Sequence, residues 1–87
     1  MQLGKVTGTV TATVKAERFT GQKLLIVDVI DASGAVLIAS TVAPDTVGAG
    51  VGDTVLLTQG SAARMAQGLS SAPVDLAIVA IVDKISA

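Results

Sequence analysis

The stretch Asp45-Thr-Val-Gly-Ala-Gly-Val-Gly-Asp-Thr-Val-Leu-Leu-Thr-Gln-Gly-Ser-Ala-Ala-Arg64 decides how this chain folds. Gly48, Gly50 and Gly52 alternate with apolar residues. Lacking a Cβ, each can take positive φ or let another backbone come close. Val55, Leu56 and Leu57 follow as an apolar run of strand length, and Gly60 ends it. Ser61 stands where a helix N-cap belongs, and Ala62, Ala63, Met65 and Ala66 around Arg64 make a two-turn helix as far as Gln67. Gly68 is its stop.

A glycine-rich turn invites comparison with loops that cradle phosphate, because such turns point backbone N–H groups toward anions. The context argues against it. A dinucleotide loop needs a strand before it and a helix immediately after it, within a unit of about 30 residues. Here a strand follows, and no Gly-Lys-Ser/Thr is present. The three glycines are therefore expected to serve the turn itself or a subunit contact, and not a nucleotide.

Working outward, Lys5 to Lys15 alternates without a break. Val6, Gly8, Val10, Ala12 and Val14 fall on one side and Thr7, Thr9, Thr11 and Thr13 on the other, which predicts a strand with one buried face. Ala16 to Gln22 reads as a surface loop. Lys23 opens a second strand whose residues 24–30 are apolar on both faces except at Asp28, so it needs cover from barrel closure or from a partner. Asp31-Ala-Ser-Gly34 is a turn, and Ala35 to Ala43 a third strand paired with the second. Pro44 should end that strand, since proline cannot continue a central ladder. Residues 74–85 give the fifth strand, expected to be the most buried. Five short strands with one short helix before the last predict a single all-β domain over residues 1–87, a small OB-like β-barrel.

An isolated domain of this size buries only about 60% of its unfolded surface. Small folds compensate with disulfides, metals or oligomerisation, and the 87 residues include no cysteine and no histidine. With 51% hydrophobic and 15% charged residues, the chain carries more apolar surface than a small monomer hides. Oligomerisation is the remaining staple. The size scaling predicts about 4,700 Å² of monomer surface, of which two contacts of about 800 Å² each cover about a third. The longest strongly apolar run, Leu76 to Val82, is far short of the roughly 20 residues of a spanning helix. No signal peptide is recognisable, so the expected address is the cytoplasm, without membrane association. A net charge of −1 and one aromatic residue, Phe19, disfavour nucleic acid.

Without His or Cys, the usual general base, thiol nucleophile and soft metal ligands are absent, so no catalytic, cofactor or metal site is expected. Most acidic residues sit at strand ends, where solvated termini explain them. A metal cluster of Asp45, Asp53 and Asp75 is conceivable but has no motif spacing. Arg64 stands apart. Behind a Ser61 cap it falls in the first helical turn, where the macrodipole disfavours a cation by up to about 1 kcal/mol. It either reaches solvent or forms a bidentate pair with Asp45 or Asp75, within the chain or across a subunit boundary.

Five segments together resemble one known family: Leu3-Gly-Lys-Val, Lys23-Leu-Leu-Ile-Val, the Asp45–Asp53 block, Gly60-Ser-Ala-Ala-Arg and Pro73-Val-Asp-Leu-Ala-Ile-Val-Ala-Ile-Val-Asp. They look like the EutN/CcmL family of bacterial microcompartment vertex proteins, from Leu3 to Asp83. The resemblance implies an OB-like barrel that assembles into a homopentamer capping the five-fold corners of a polyhedral shell, with hexameric shell proteins as partners. The chain departs from the family pattern in the loop from Lys15 to Gln22 and in its short tail after Asp83. The alternative from a different class is an oligomeric OB-type module that binds a ligand or a protein.

Overall fold

The computed structural model describes residues 1–11, 23–60 and 75–86. Five strands make up the fold: β1 (Gln2–Val10), β2 (Lys23–Ile30), β3 (Val36–Asp45), β4 (Thr54–Gln59) and β5 (Leu76–Ile81). They close into a barrel in the order β1-β2-β3-β5-β4. All pairings are antiparallel except β3 with β5, which meet in parallel at Asp45 and Ile78. Closure answers the problem posed by the two-faced apolar strands, because a barrel removes the sheet edge that an open meander would leave. The expected small helix, Ser61 to Gln67, lies outside the described residues.

Alternation along β1 puts Gly4, Val6, Gly8 and Val10 inward and Lys5, Thr7 and Thr9 outward. Val6 opposes Val27 and Gly8 opposes Ile26, so one extra residue bulges at Thr7. Such a bulge bends the strand as a small barrel requires. At Gly4, a Cβ would stand 2.9 Å from Leu57 Cδ1, which makes glycine a packing requirement there. Val6, Leu25, Val27, Val29, Ala43, Ala49, Val55, Leu57 and Ile78 form the core, with Leu76 packed against it. Burying each of the larger side chains contributes about 1.5–3 kcal/mol.

The strand boundaries differ from the sequence reading at β1, β3 and β5, and β1 ends at Val10, the expected continuation over residues 12–15 lying outside the described residues. β1 begins at Gln2, ahead of Lys5, because its first residues pair with Leu57 and Leu56 of β4. β3 continues through Pro44, which lies opposite Leu24 at the strand's last pairings, where a missing N–H is tolerated. β5 covers Leu76–Ile81 only and is not the most buried strand. Ile81 is exposed, whereas β2 buries Leu25, Val27 and Val29.

Candidate assembly surface

The turn between β3 and β4 is held at both ends by side chains that cap backbone groups. Asp45 is buried, and its Oδ1 accepts the Val47 N–H at 3.0 Å. Thr46 Oγ1 donates to the Ile78 carbonyl at 2.8 Å, tying the turn to β5. Asp53 Oδ2 accepts from Gly50 N at 2.8 Å, while Asp53 N donates back to the Gly50 carbonyl at 3.0 Å. Reciprocal bonds of about 2.9 Å join Gly52 and Asp53 to the backbone of Val6. Inside this frame Ala49 enters the core, fully buried. Its carbonyl accepts from Lys23 Nζ at 2.7 Å, across 26 positions of sequence.

Two of the three glycines owe their place to backbone conformation. Gly48 has φ +80° and Gly52 φ +96°, a region costly for residues with a Cβ. At either one, a Cβ would meet no atom within 4 Å among the described residues beyond its chain neighbours, so no close approach among them constrains these two. Gly50 lies outside the left-handed region, and the nearest atom to its own Cβ position is Asp53 Oδ2 at 4.0 Å. The demands on the three are thus unequal, against the sequence expectation that treated them alike.

At the far end of β3 the surface is different. Val36 is 54% exposed, Leu37 62% and Ile38 54%, with Val42 also exposed further along the strand. The supporting hairpin is closed by Asp31, whose Oδ1 accepts from Ser33 Oγ at 2.6 Å, Ser33 N at 2.9 Å and Ala35 N at 3.0 Å. The Ser33 hydroxyl first, and then the Ala35 N–H, hold its carboxyl below the usual carboxylate range. Gly34 completes the turn at φ +92°. Behind the hairpin, a cleft of about 420 Å³ is lined by Lys5, Asp28, Ile30, Val36, Thr54 and Ile85, among others.

Asp28, the one charge in β2 beyond its opening lysine, anchors a bulge in β3. Its Oδ1 accepts the N–H of Ser40, which takes φ +57° where β3 carries an extra residue opposite Val27 and Val29. Sequence reasoning missed this role and that of Lys23. The signal for the first was a lone carboxylate in an apolar strand facing a Ser-Thr pair in the next. Lys23, which the sequence marks only as the opening of β2, is tied by its ammonium to the glycine turn.

Of the residues singled out by sequence, Asp45, Gly48, Gly50 and Gly52 share the turn. Asp75 is exposed just ahead of β5, and its carbonyl accepts the Gly60 N–H at 2.8 Å. Ser61 and Arg64, and with them any pairing of Arg64 with Asp45 or Asp75, lie outside the described residues. Among the described residues, no group of three or more His, Cys, Asp or Glu side chains is placed to hold a metal ion. What the surface offers is apolar side chains on a rigid barrel, the chemistry of association.

Comparison with known proteins gives the same direction. The family profile described as "Ethanolamine utilisation protein EutN/carboxysome" matches residues 1–83. The carboxysome shell vertex protein CcmL of Synechocystis sp. is 45% identical over 86 residues, spanning 99% of this chain and 86% of the relative. The bacterial microcompartment shell vertex protein EutN of Salmonella typhimurium is 44% identical over 87 residues, spanning 100% of this chain and 88% of the relative. Among solved structures, the GrpN pentameric microcompartment shell protein from Rhodospirillum rubrum superposes with a TM-score of 0.89 at 41% identity. That match covers 100% of this chain and 99% of the other. On the match along nearly its whole length and the shared barrel, this chain belongs to the EutN/CcmL family.

Proposed function

We propose that this protein is a structural component of a bacterial microcompartment shell in the cytoplasm, and that five copies form a ring closing each five-fold corner. The observation that carries this reading is the near-full-length similarity to shell vertex proteins of two microcompartment types, joined to exposed apolar side chains on a chain without catalytic apparatus. It is not an enzyme.

Geometry supplies the mechanism. A flat sheet of six-fold tiles cannot close into a polyhedron without five-fold corners, and a ring of five identical heterologous contacts provides one. The partners at the rim are hexameric shell proteins. Each rim contact can be weak, because five copies act together and raise the effective affinity. Native mass spectrometry should give a five-chain assembly at micromolar concentration, and a monomer or dimer would refute the proposal. Shells reconstituted without this protein should show open corners or elongated shapes by electron microscopy and should leak small molecules. Closed, tight shells in its absence, with no other vertex protein present, would equally defeat it.

A further inference from the structure

Away from the glycine turn, one concavity on the barrel collects charge. On the outer face Lys5 stands directly opposite Asp28 of β2 and Thr54 of β4, so a cation, a carboxylate and a hydroxyl lie side by side across three strands. All three line the cleft of about 420 Å³ described above, a volume within the range of small-molecule sites. Aliphatic groups supply much of the rest. Ile30, two residues beyond Asp28 in β2, lines the cleft together with Val36 and Ile85. Val36 begins the exposed arm of β3, residues 36–38, and is 54% open, while Ile85 is 41% open.

Both walls are tied to the barrel. The hairpin is closed by the Asp31 N–H on the Ala35 carbonyl and the Gly34 N–H on the Asp31 carbonyl, each at 3.0 Å. The tail that carries Ile85 is joined to β4 where the Val82 N–H donates to the Thr54 carbonyl at 2.8 Å. Asp28 is held as well, because its Oδ1 accepts the Ser40 N–H at 2.9 Å. A site fixed in this way loses little freedom on binding.

We propose that this cleft binds a small aliphatic solute bearing both an ammonium and a carboxylate, the chemistry of a free amino acid such as leucine. The Asp28 carboxylate accepts from the ammonium, the Lys5 ammonium and the Thr54 hydroxyl donate to the carboxylate, and the aliphatic body lies against Ile30, Val36 and Ile85. Opposite charges at paired positions can simply satisfy each other, but an exposed pair contributes little on its own. A ligand that answers both charges and covers apolar surface therefore displaces it readily. A solute with one charge leaves the other partner unanswered, and one without an aliphatic body leaves the apolar walls in water. The inference goes beyond the shell reading and does not depend on it, because every residue it uses belongs to one chain.

Titrating the native assembly with leucine, followed by methyl NMR, should give saturable shifts at Ile30, Val36 and Ile85. Leucinamide, 4-methylpentanoate and glycine lack in turn the carboxylate, the ammonium and the aliphatic side chain, and each should bind about tenfold more weakly or worse. Lys5→Gln and Asp28→Asn should show losses of the same size at unchanged circular dichroism and native mass. Asparagine still offers Ser40 an oxygen, so the bulge in β3 is kept. Lack of saturable shifts with leucine, or binding that either variant retains, would overturn the site and mean that Lys5 and Asp28 answer only each other. Any of the three analogues binding as tightly as leucine would overturn the recognition of an aliphatic zwitterion. Native mass reports separately on the shell reading: a five-chain assembly that ignores leucine removes the cleft alone, and a monomer that binds leucine removes the ring alone.

Discussion

The two ends of β3 are buried in the reverse of the order that their sequences suggest. At its C-terminal end Ala43, Pro44 and Asp45 are buried, the following turn is laced to β1, β2 and β5, and Ala49 completes the core. At its N-terminal end Val36, Leu37 and Ile38 are as apolar as any core strand, yet more than half of each residue is open. Hydrophobicity alone would bury the arm and expose the Pro44-Asp45 end. What separates them is whether the chain supplies the opposing surface: the turn folds back onto its own barrel, while the arm projects beyond the strands that could cover it. In a chain this short, an uncovered apolar end of this kind is suited to association.

Replacing a side chain at each end should break the comparison most sharply. Leu57→Ala removes a fully buried side chain from the core and should cost about 2–5 kcal/mol, read as a fall in the urea midpoint. Leu37→Ala should leave the fold within about 0.5 kcal/mol of wild type while weakening assembly. Equal losses of fold stability would mean that the arm is already part of the core.

A smaller effect sharpens the picture within the glycine turn. Gly52→Val places a β-branched residue at φ +96° and should cost about 1–3 kcal/mol. Gly50→Val meets neither a left-handed backbone nor a close neighbour and should stay below about 1 kcal/mol. Chemical denaturation of the two variants would reverse this assignment if Gly50→Val proved the more damaging.

The smallest effect concerns the hairpin that carries the arm. Ser33 and Ala35 bond to the ionised carboxylate of Asp31 and place its folded pKa below the ordinary value of 3.8. The stabilisation is therefore present above that value and is lost as pH falls through the lowered one. The Ala35 amide signal in NMR should titrate with a midpoint below 3.8 in the wild type and should lose that step in Asp31→Asn. A midpoint at or above 3.8 would contradict the hydrogen-bonded assignment.

Much of the barrel was legible in the sequence because its signals are local. Period-two alternation pointed to β1, and the Asp31-Ala-Ser-Gly34 turn to the hairpin. The features that were not legible depend on neighbours distant in the chain. Lys23 reaches Ala49 only because β2 begins beside the turn, and Asp28 meets Ser40 only through a bulge that no period reveals. The left-handed backbone at Gly48 and Gly52, but not Gly50, follows from the hydrogen bonds of Asp45, Asp53 and Val6, which composition cannot rank. Of the candidate residues, Asp45, Gly48, Gly50 and Gly52 fall in one turn, but what each does there does not follow from their spacing.

The buried Ala49 has a consequence for traffic. The turn carries it into a core where Leu25, Val27, Val55, Leu57 and Ile78 have no accessible surface, so the barrel interior is packed solid. Among the described residues, that core leaves no route for water or metabolites through the barrel. In a ring of these chains, any solute crossing the corner must go between barrels, along the central axis or at the rim, and permeability becomes a property of the assembly that no single chain possesses.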